Sequence, residues 1–362
     1  MTTTEVPLPI PGSTEPRSGR ARVEHRHGWQ LVLHVAVLVV GVALLYVFLS
    51  PLGHLSNAVK IPVVLVSLVV TFRGVNGTAR SIFGPRFDTG LWLCSIWLGL
   101  LVLAAAFADL LPLGNYQNAT GSIDTAGYAT PDLFSRHPLG TNDFGLDLLA
   151  RSIHGARESL LTCTGAALVG LLIGCALGIP AAYYRGALDR VIGVFADVLL
   201  SIPALLMLFA LITIVGTAKT VTQAVVKVGG ALAIIAIPVM TRLARANSLP
   251  FIERDFVLVS HALGKKDRRI IVRDLLPNVL PSMMSFLLIL VAQFIVAEGA
   301  LAYLGLGLQP PAPSWGNMIA EGGLSTLSKY PFVPLVPGVF MLITVYSLNR
   351  VGQKLRVAWA GV

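Results

Sequence analysis

The sequence predicts an all-α integral membrane protein of eight spans, and three observations carry that prediction. Of its 362 residues 55% are hydrophobic and only 12% charged; seven stretches stay apolar over roughly the 20 residues a bilayer requires, with an eighth marginal; and lysine and arginine crowd into alternate loops. A soluble fold of this length cannot hide so much apolar surface, as the mean hydropathy of +0.76 already indicates. Disorder needs low hydrophobicity, and a disulfide scaffold needs more than three cysteines.

In chain order, residues 1–28 are rich in Pro, Ser, Thr, Gly and Arg and form a basic tail. Residues 29–50 make an almost uncharged first span, longer than a signal-peptide core and followed by no A-x-A site, so it is read as uncleaved. Its His34 reads as a packing histidine. Residues 55–72 are the marginal span, interrupted by Lys60 and Pro62, with Lys60 placed to snorkel outward. The other spans fall at 90–113, 158–184, 191–215, 221–244, 280–308 and 331–348. Each is helical, since a helix satisfies its own backbone in lipid. Gly170, Gly174 and Gly178, extended by Ala166, lie four apart on one face and invite close approach of a second helix. Pro180 and Pro203 are predicted kinks. Cys94, Cys163 and Cys175 sit within apolar runs as small buried hydrophobes.

With both termini cytoplasmic, the inner segments hold 20 of the 27 Lys and Arg residues, an asymmetry that supports the span count and the direction together. Two loops stand out: an outer one over 114–157 and a basic inner one over 242–276. The inner stretch reads as helix, corner, helix. Pro250 suits a first helical turn, Glu253 and Asp255 follow it, Gly264 supplies a positive φ, and a second short helix covers 266–275 before Pro277 opens the next span. Phe256, Val259 and Leu263 form an apolar ridge at helical spacing. An exposed ridge on such a knob calls for a partner; an amphipathic helix lying on lipid headgroups is the other reading.

The inner stretch resembles the EAA loop of ATP-binding cassette importer permeases, on Asp255, Phe256, Ala262, Leu263, Gly264, Ile270, Leu276, Pro277 and Asn278. The chain is more specifically similar to the second (C-type) permease subunit of the dipeptide, oligopeptide and nickel importer group. HPLGT at 137–141, Gly145, Asp147, GAR at 155–157 and YLGLGLQPPAPSWGNM at 303–318 carry that resemblance, which covers residues 90–356. It departs from the pattern at Leu258, where the loop's glutamate stands, at Val259 and Ser260 in place of two alanines, and at Leu146, where an arginine is usual.

The resemblance implies a type I, MetI-like permease core of six helices over 89–356, with 29–88 left as an accessory two-helix hairpin. It implies a multi-pass subunit of the bacterial inner membrane, both termini cytoplasmic, importing peptides by alternating access. Implied partners are a homologous B-type permease subunit, one or two ATPase subunits that hold ATP and Mg, an extracytoplasmic substrate-binding protein and membrane lipid. This chain itself would bind no cofactor and catalyse no reaction. Nickel or another small solute is the alternative cargo. An ion-gradient-driven secondary transporter is the rival from another class; it calls for many intramembrane ionisable groups in two related halves, and away from their ends the spans offer two carboxylates, Asp197 and Glu298.

On this reading Asp255, Phe256, Leu258, Val259, His261, Ala262, Leu263, Gly264, Lys265 and Arg268 couple the chain to an ATPase, with Lys265, Lys266, Arg268 and Arg269 taking over where the glutamate is missing. Glu298 and Tyr303 belong to the translocation pathway or its gate; Asp197 belongs there or in a structural pair near Arg190. His137, Asp147, Gln309, Trp315 and Asn317 form an outer rim, where Pro310, Pro311 and Pro313 stop the seventh helix and Trp315 suits the headgroup level. No G-x-x-x-x-G-K-[ST], H-E-x-x-H or G-x-S-x-G occurs, and the arginines form no nucleic-acid face.

Overall fold

The structure, a computed structural model, describes residues 31–40, 42–43, 57–84, 87–118, 127–132, 135–216, 218, 220–309 and 312–360. The chain divides into two compact units, Met1–Leu93 and Cys94–Val362. In the first, α1 (Leu31–Val40) and α2 (Asn57–Phe83) run antiparallel. A Cβ on Gly77 would lie 2.4 Å from the His34 ring, and one on Gly74 would lie 2.5 Å from the Leu38 backbone. His34 therefore packs on a glycine. The basic tail and most of the second half of the first predicted span lie outside the described residues.

The second unit is built around α4 (Leu148–Tyr184) and α7 (Val221–Ile252). The predicted glycine face makes this contact: Cβ atoms on Gly170, Gly174 and Gly178 would fall 2.2 Å from Ala236 Cβ, 2.5 Å from Met240 Cβ and 2.4 Å from the Thr241 carbonyl. Since the numbers rise together on both helices, α4 and α7 run parallel. Between them the chain returns through α5 (Gly186–Ser201) and α6 (Ala204–Val215), bent by 89° at Ile202 and Pro203. Pro203 is thus a full break. Pro180, by contrast, is accommodated inside an unbroken α4.

Two ion pairs hold α5 on α7. Asp189 pairs with Arg245, through a second contact of 2.7 Å, and Asp197 pairs with Arg242 at 2.6 Å. Asp197 accordingly has a structural partner, though on α7 and not the nearby Arg190.

α10 (Leu276–Tyr303) runs antiparallel to α4, and α13 (Phe332–Ala360) antiparallel to α10, with Gly352 against the Ser285 carbonyl and Gly299 against Met341. α3 (Thr89–Ala106) donates the Trp97 Nε1–H to Thr344 Oγ1 of α13. Counting α5 and α6 as one broken span, six segments among the described residues are long and apolar enough to cross a membrane. The six-helix core is present.

Several boundaries differ from the hydropathy reading: α2 and α13 run on to Phe83 and Ala360, past the predicted ends at 72 and 348, and α3 stops at Ala106, short of 113. α4 starts ten residues before the predicted span at 158, because Asp147 caps it, its Oδ1 accepting from the Ala150 N–H at 2.8 Å. α7 continues through Pro250, which sits in the last turn of a helix and not in the first. α10 stops at Tyr303 in a Schellman turn, with Gly305 at φ +74° and the Leu306 N–H bonded to the Leu301 carbonyl at 2.9 Å; the helix has ended before the prolines arrive.

The close α4–α7 contact predicts that Gly174→Val costs about 1–3 kcal/mol, the usual penalty for overpacking, whereas Gly165→Ala, with open space around it, leaves thermal unfolding in detergent unchanged. Equal melting temperatures for Gly174→Val and the wild type would contradict the contact.

Candidate functional site

One end of the second unit carries an elbow between α7 and α10. α8 (Asp255–Ala262) has Asp255 in its first turn, favourable to the helix dipole, and closes in a second Schellman turn. There Gly264 sits at φ +71° and the Lys265 N–H bonds to the Ser260 carbonyl at 3.2 Å. Gly264 plays the part its position predicts. α9 (Asp267–Ile270) then passes through a π-helical turn, Ile271–Leu275, directly into α10. The predicted second helix of the elbow is therefore the beginning of the α10 rod, with Ile270 and Leu275 buried on one side and Arg268, Arg269 and Arg273 exposed on the other.

The elbow is two-faced. Val257 and Ser260 point into the protein, while Phe256, Leu258, Val259 and Leu263 are exposed, Leu258 by 61% and Leu263 by 73%. Ala262 and His261 are also exposed. Lys265 spends its charge internally: Nζ lies 3.0 Å from Asp274 Oδ2 and donates to Ser260 Oγ at 2.9 Å, bracing α8 on the following turn. Of the four cations predicted to dock, that leaves Lys266, Arg268 and Arg269 exposed.

A second brace was not foreseen. The Tyr183 hydroxyl, at the end of α4, donates to Asp267 Oδ1 at 2.9 Å and lies 2.8 Å from His261 Nε2, linking α4 to both arms of the elbow. Residues so far apart in sequence leave no local signature.

The opposite end of the unit is shaped by the 303–318 motif. Ser314 and Asn317 form a capping box at the start of α11 (Trp315–Glu321), each side chain bonding the other's backbone N–H, and Asn317 Nδ2 also donates to the Leu308 and Ala312 carbonyls; a short α12 (Leu324–Lys329) follows before α13. Trp315 is fully buried and donates Nε1–H to the Ser152 carbonyl at 3.0 Å; it is a core plug, not a headgroup anchor. Asn317 is likewise buried and serves the turn instead of a rim. Gly155 of GAR gives α4 room beside Ser314, and Gly316 lets α11 press onto Gly299 and Ala302.

His137 Nδ1 sits 2.8 Å from Asp147 Oδ2, so that pair fixes the α4 cap. Arg151, also unforeseen, is buried in α4 and places Nη2 2.7 and 2.8 Å from the two carboxylate oxygens of Glu321. Burial pushes the Glu321 carboxyl above the usual range, against the pull of Arg151.

Glu298 is fully buried, with Ser159 Oγ donating to Oε2 at 3.3 Å. It lines neither of the cavities near this end. The larger, about 830 Å³, lies among α6, α7 and the loop after α10, and includes Thr213, Gly216, Thr220, Lys227, Gly305 and Gln309. The smaller, about 600 Å³, is bordered by Leu211, Val215, Gln223, Val226 and Lys227. Tyr303 is exposed at the end of α10; of the pathway and rim candidates Gln309 reaches the wall of the larger of these two cavities, and His137 and Asp147 border a third space of about 570 Å³ beside the α4 cap. Lys227, a cation in the apolar first half of α7, is the signal that counting charges by loops passed over.

Residues 170–355 match the family model of the binding-protein-dependent transport system inner membrane component. The chain belongs to that family. It is 34% identical over 224 residues to the glutathione transport system permease protein of Pectobacterium atrosepticum, covering 62% of this chain and 72% of the relative. With the dipeptide transport system permease protein of Alkalihalophilus pseudofirmus it shares 32% identity over 257 residues, 71% of this chain and 81% of the relative. Among solved structures, an inward-facing MetNI methionine ABC transporter matches with TM-score 0.48 and 21% identity, over 59% of this chain and 97% of that one. The family model and these permease relatives make the protein a permease subunit of an ATP-binding cassette importer, and the elbow spans the part of the family region between α7 and α10.

Within this permease the Arg151–Glu321 pair ties α4 to α11. Arg151→Met is expected to cost about 3–5 kcal/mol by stranding a buried carboxyl, and adding Glu321→Leu to recover most of the loss. Thermal unfolding of the three proteins reads this directly; a single variant as stable as the wild type would remove the pair from the account.

Proposed function

We propose that this permease imports short peptides as one half of a transmembrane pair with a homologous B-type subunit, in the inner membrane of a bacterium with both termini and the elbow on the cytoplasmic side. One or two separate ATPase subunits hydrolyse ATP with Mg, an extracytoplasmic binding protein delivers the cargo to the far end, and alternating access moves it across. The charge asymmetry of the loops supports this direction. The names of the peptide and glutathione permeases to which the chain is similar support the cargo class.

The observation that carries the reading is the exposed apolar face of α8, Phe256, Leu258, Val259 and Leu263, braced from behind by Lys265–Asp274 and by Tyr183. A greasy face held rigidly on an otherwise basic loop fits a groove on a second protein. With Leu258 where the family glutamate stands, docking rests on apolar contact. The exposed residues of the broken span, among them Val194, Val198, Leu206 and Phe209, supply apolar surface for lipid or for the second permease subunit.

Uptake of a dipeptide into vesicles holding the whole importer is expected to require ATP and every ATPase subunit. Phe256→Asp is expected to reduce it at least tenfold while the permease pair still assembles, and a cysteine at Val259 to cross-link to an ATPase subunit. Uptake that persists without ATPase partners would reject the reading.

A further inference from the structure

Lys227 is an odd residue for its place. It stands in the second turn of α7, half-buried, and the helix after it is free of charged residues as far as Met240. A cation within a span is costly unless it is paired or faces water, and such residues are retained at pathways. Its Nζ reaches back to the Gly216 carbonyl at the end of α6, which accounts for one of its three donors. The other two have no carboxylate to meet in the cavity walls: Lys227 borders both cavities, and among the described residues neither contains an Asp or Glu. The remaining polar groups in the larger cavity are neutral, chiefly Thr213, Thr220, Gln117 and Gln309. A lone cation in a space of about 830 Å³, a volume typical of small-molecule sites, is matched to one anionic group of a ligand, while the neutral oxygens of Gln117, Thr213, Thr220 and Gln309 can accept from the ligand's own N–H donors.

We propose that Lys227 holds the carboxylate of the transported solute in the cavity between α6, α7 and the loop after α10. This rests on the peptide-import reading and adds to it which end of the peptide is gripped and where. The same ammonium could meet a phosphate of a lipid headgroup, so the source of the anion has to be separated experimentally. Gly216, the residue that ends α6, then serves as the resting partner of the amine.

The test is dialanine uptake by the whole importer in vesicles of phosphatidylcholine alone and in vesicles containing phosphatidylglycerol, with uptake rates normalised to assembled complex. Wild-type uptake of dialanine in either lipid establishes the peptide reading; its absence there overturns that reading and this proposal with it, whereas the variants address the proposal alone. Lys227→Met is expected to raise the KM for dialanine about tenfold or more in both lipids, and Lys227→Arg, which keeps the charge, to stay within about threefold of wild type. Three results overturn the proposal: Lys227→Met with wild-type KM, Lys227→Arg as impaired as Lys227→Met, or a defect confined to vesicles containing phosphatidylglycerol, which assigns the lysine to a lipid phosphate.

Discussion

The close parallel contact of α4 with α7 sets the geometry on which the remaining elements depend. Three glycines on one face bring two backbones together where any side chain would collide with Ala236, Met240 or the Thr241 carbonyl. Parallel neighbours cannot be joined by a short loop, so the chain must travel back along the bundle, and α5 and α6 are that return. Because the return is bent at Pro203, its second half is free to wall a cavity against the start of α7. The same contact fixes the ends of α4 and α7 side by side, where Tyr183 reaches the elbow that follows α7.

Both ends of the core are then braced, by different chemistry. At the elbow end the braces are exposed or half-buried polar links, Tyr183 with Asp267 and Lys265 with Asp274, each worth little alone in water but together fixing the orientation of an exposed apolar surface. At the other end the braces are buried: Trp315 against Ser152, Asn317 in its capping box, and Arg151 with Glu321. The 303–318 segment is therefore a turn that plugs and orders one end of the bundle, with Gly305 needed for its positive φ and Gly316 for the approach of α11 to α10.

Much of this was legible in the residue order. A glycine every fourth position, a glycine after a short apolar helix, and charge alternating by loop each report a local rule, and each reappears as a helix contact, a Schellman turn or a span. What escaped were facts that depend on a residue distant in sequence. Hydropathy placed the start of α4 at its apolar run because the cap at Asp147 is polar. An aromatic after prolines looks like an interfacial anchor until the Ser152 carbonyl is seen beside it. Asp197 found its base on α7 and not next door, and the carboxylate of Glu298 turned inward to Ser159 where a channel wall had been expected. The cation in α7 was visible as a letter, but only the cavities on either side of it give it a role.

The π turn at Ile271–Leu275 makes the elbow's second arm and α10 a single piece, Asp267–Tyr303, of 37 residues, or about 55 Å at 1.5 Å per residue. Such a piece behaves as a lever and not as a chain of joints. Tilting it by about 5° around its middle moves each tip by about 2–3 Å in opposite senses, so pressure on the arm beside Lys266 arrives at Tyr303 with no intervening step, and at the loop bearing Gln309 immediately after it.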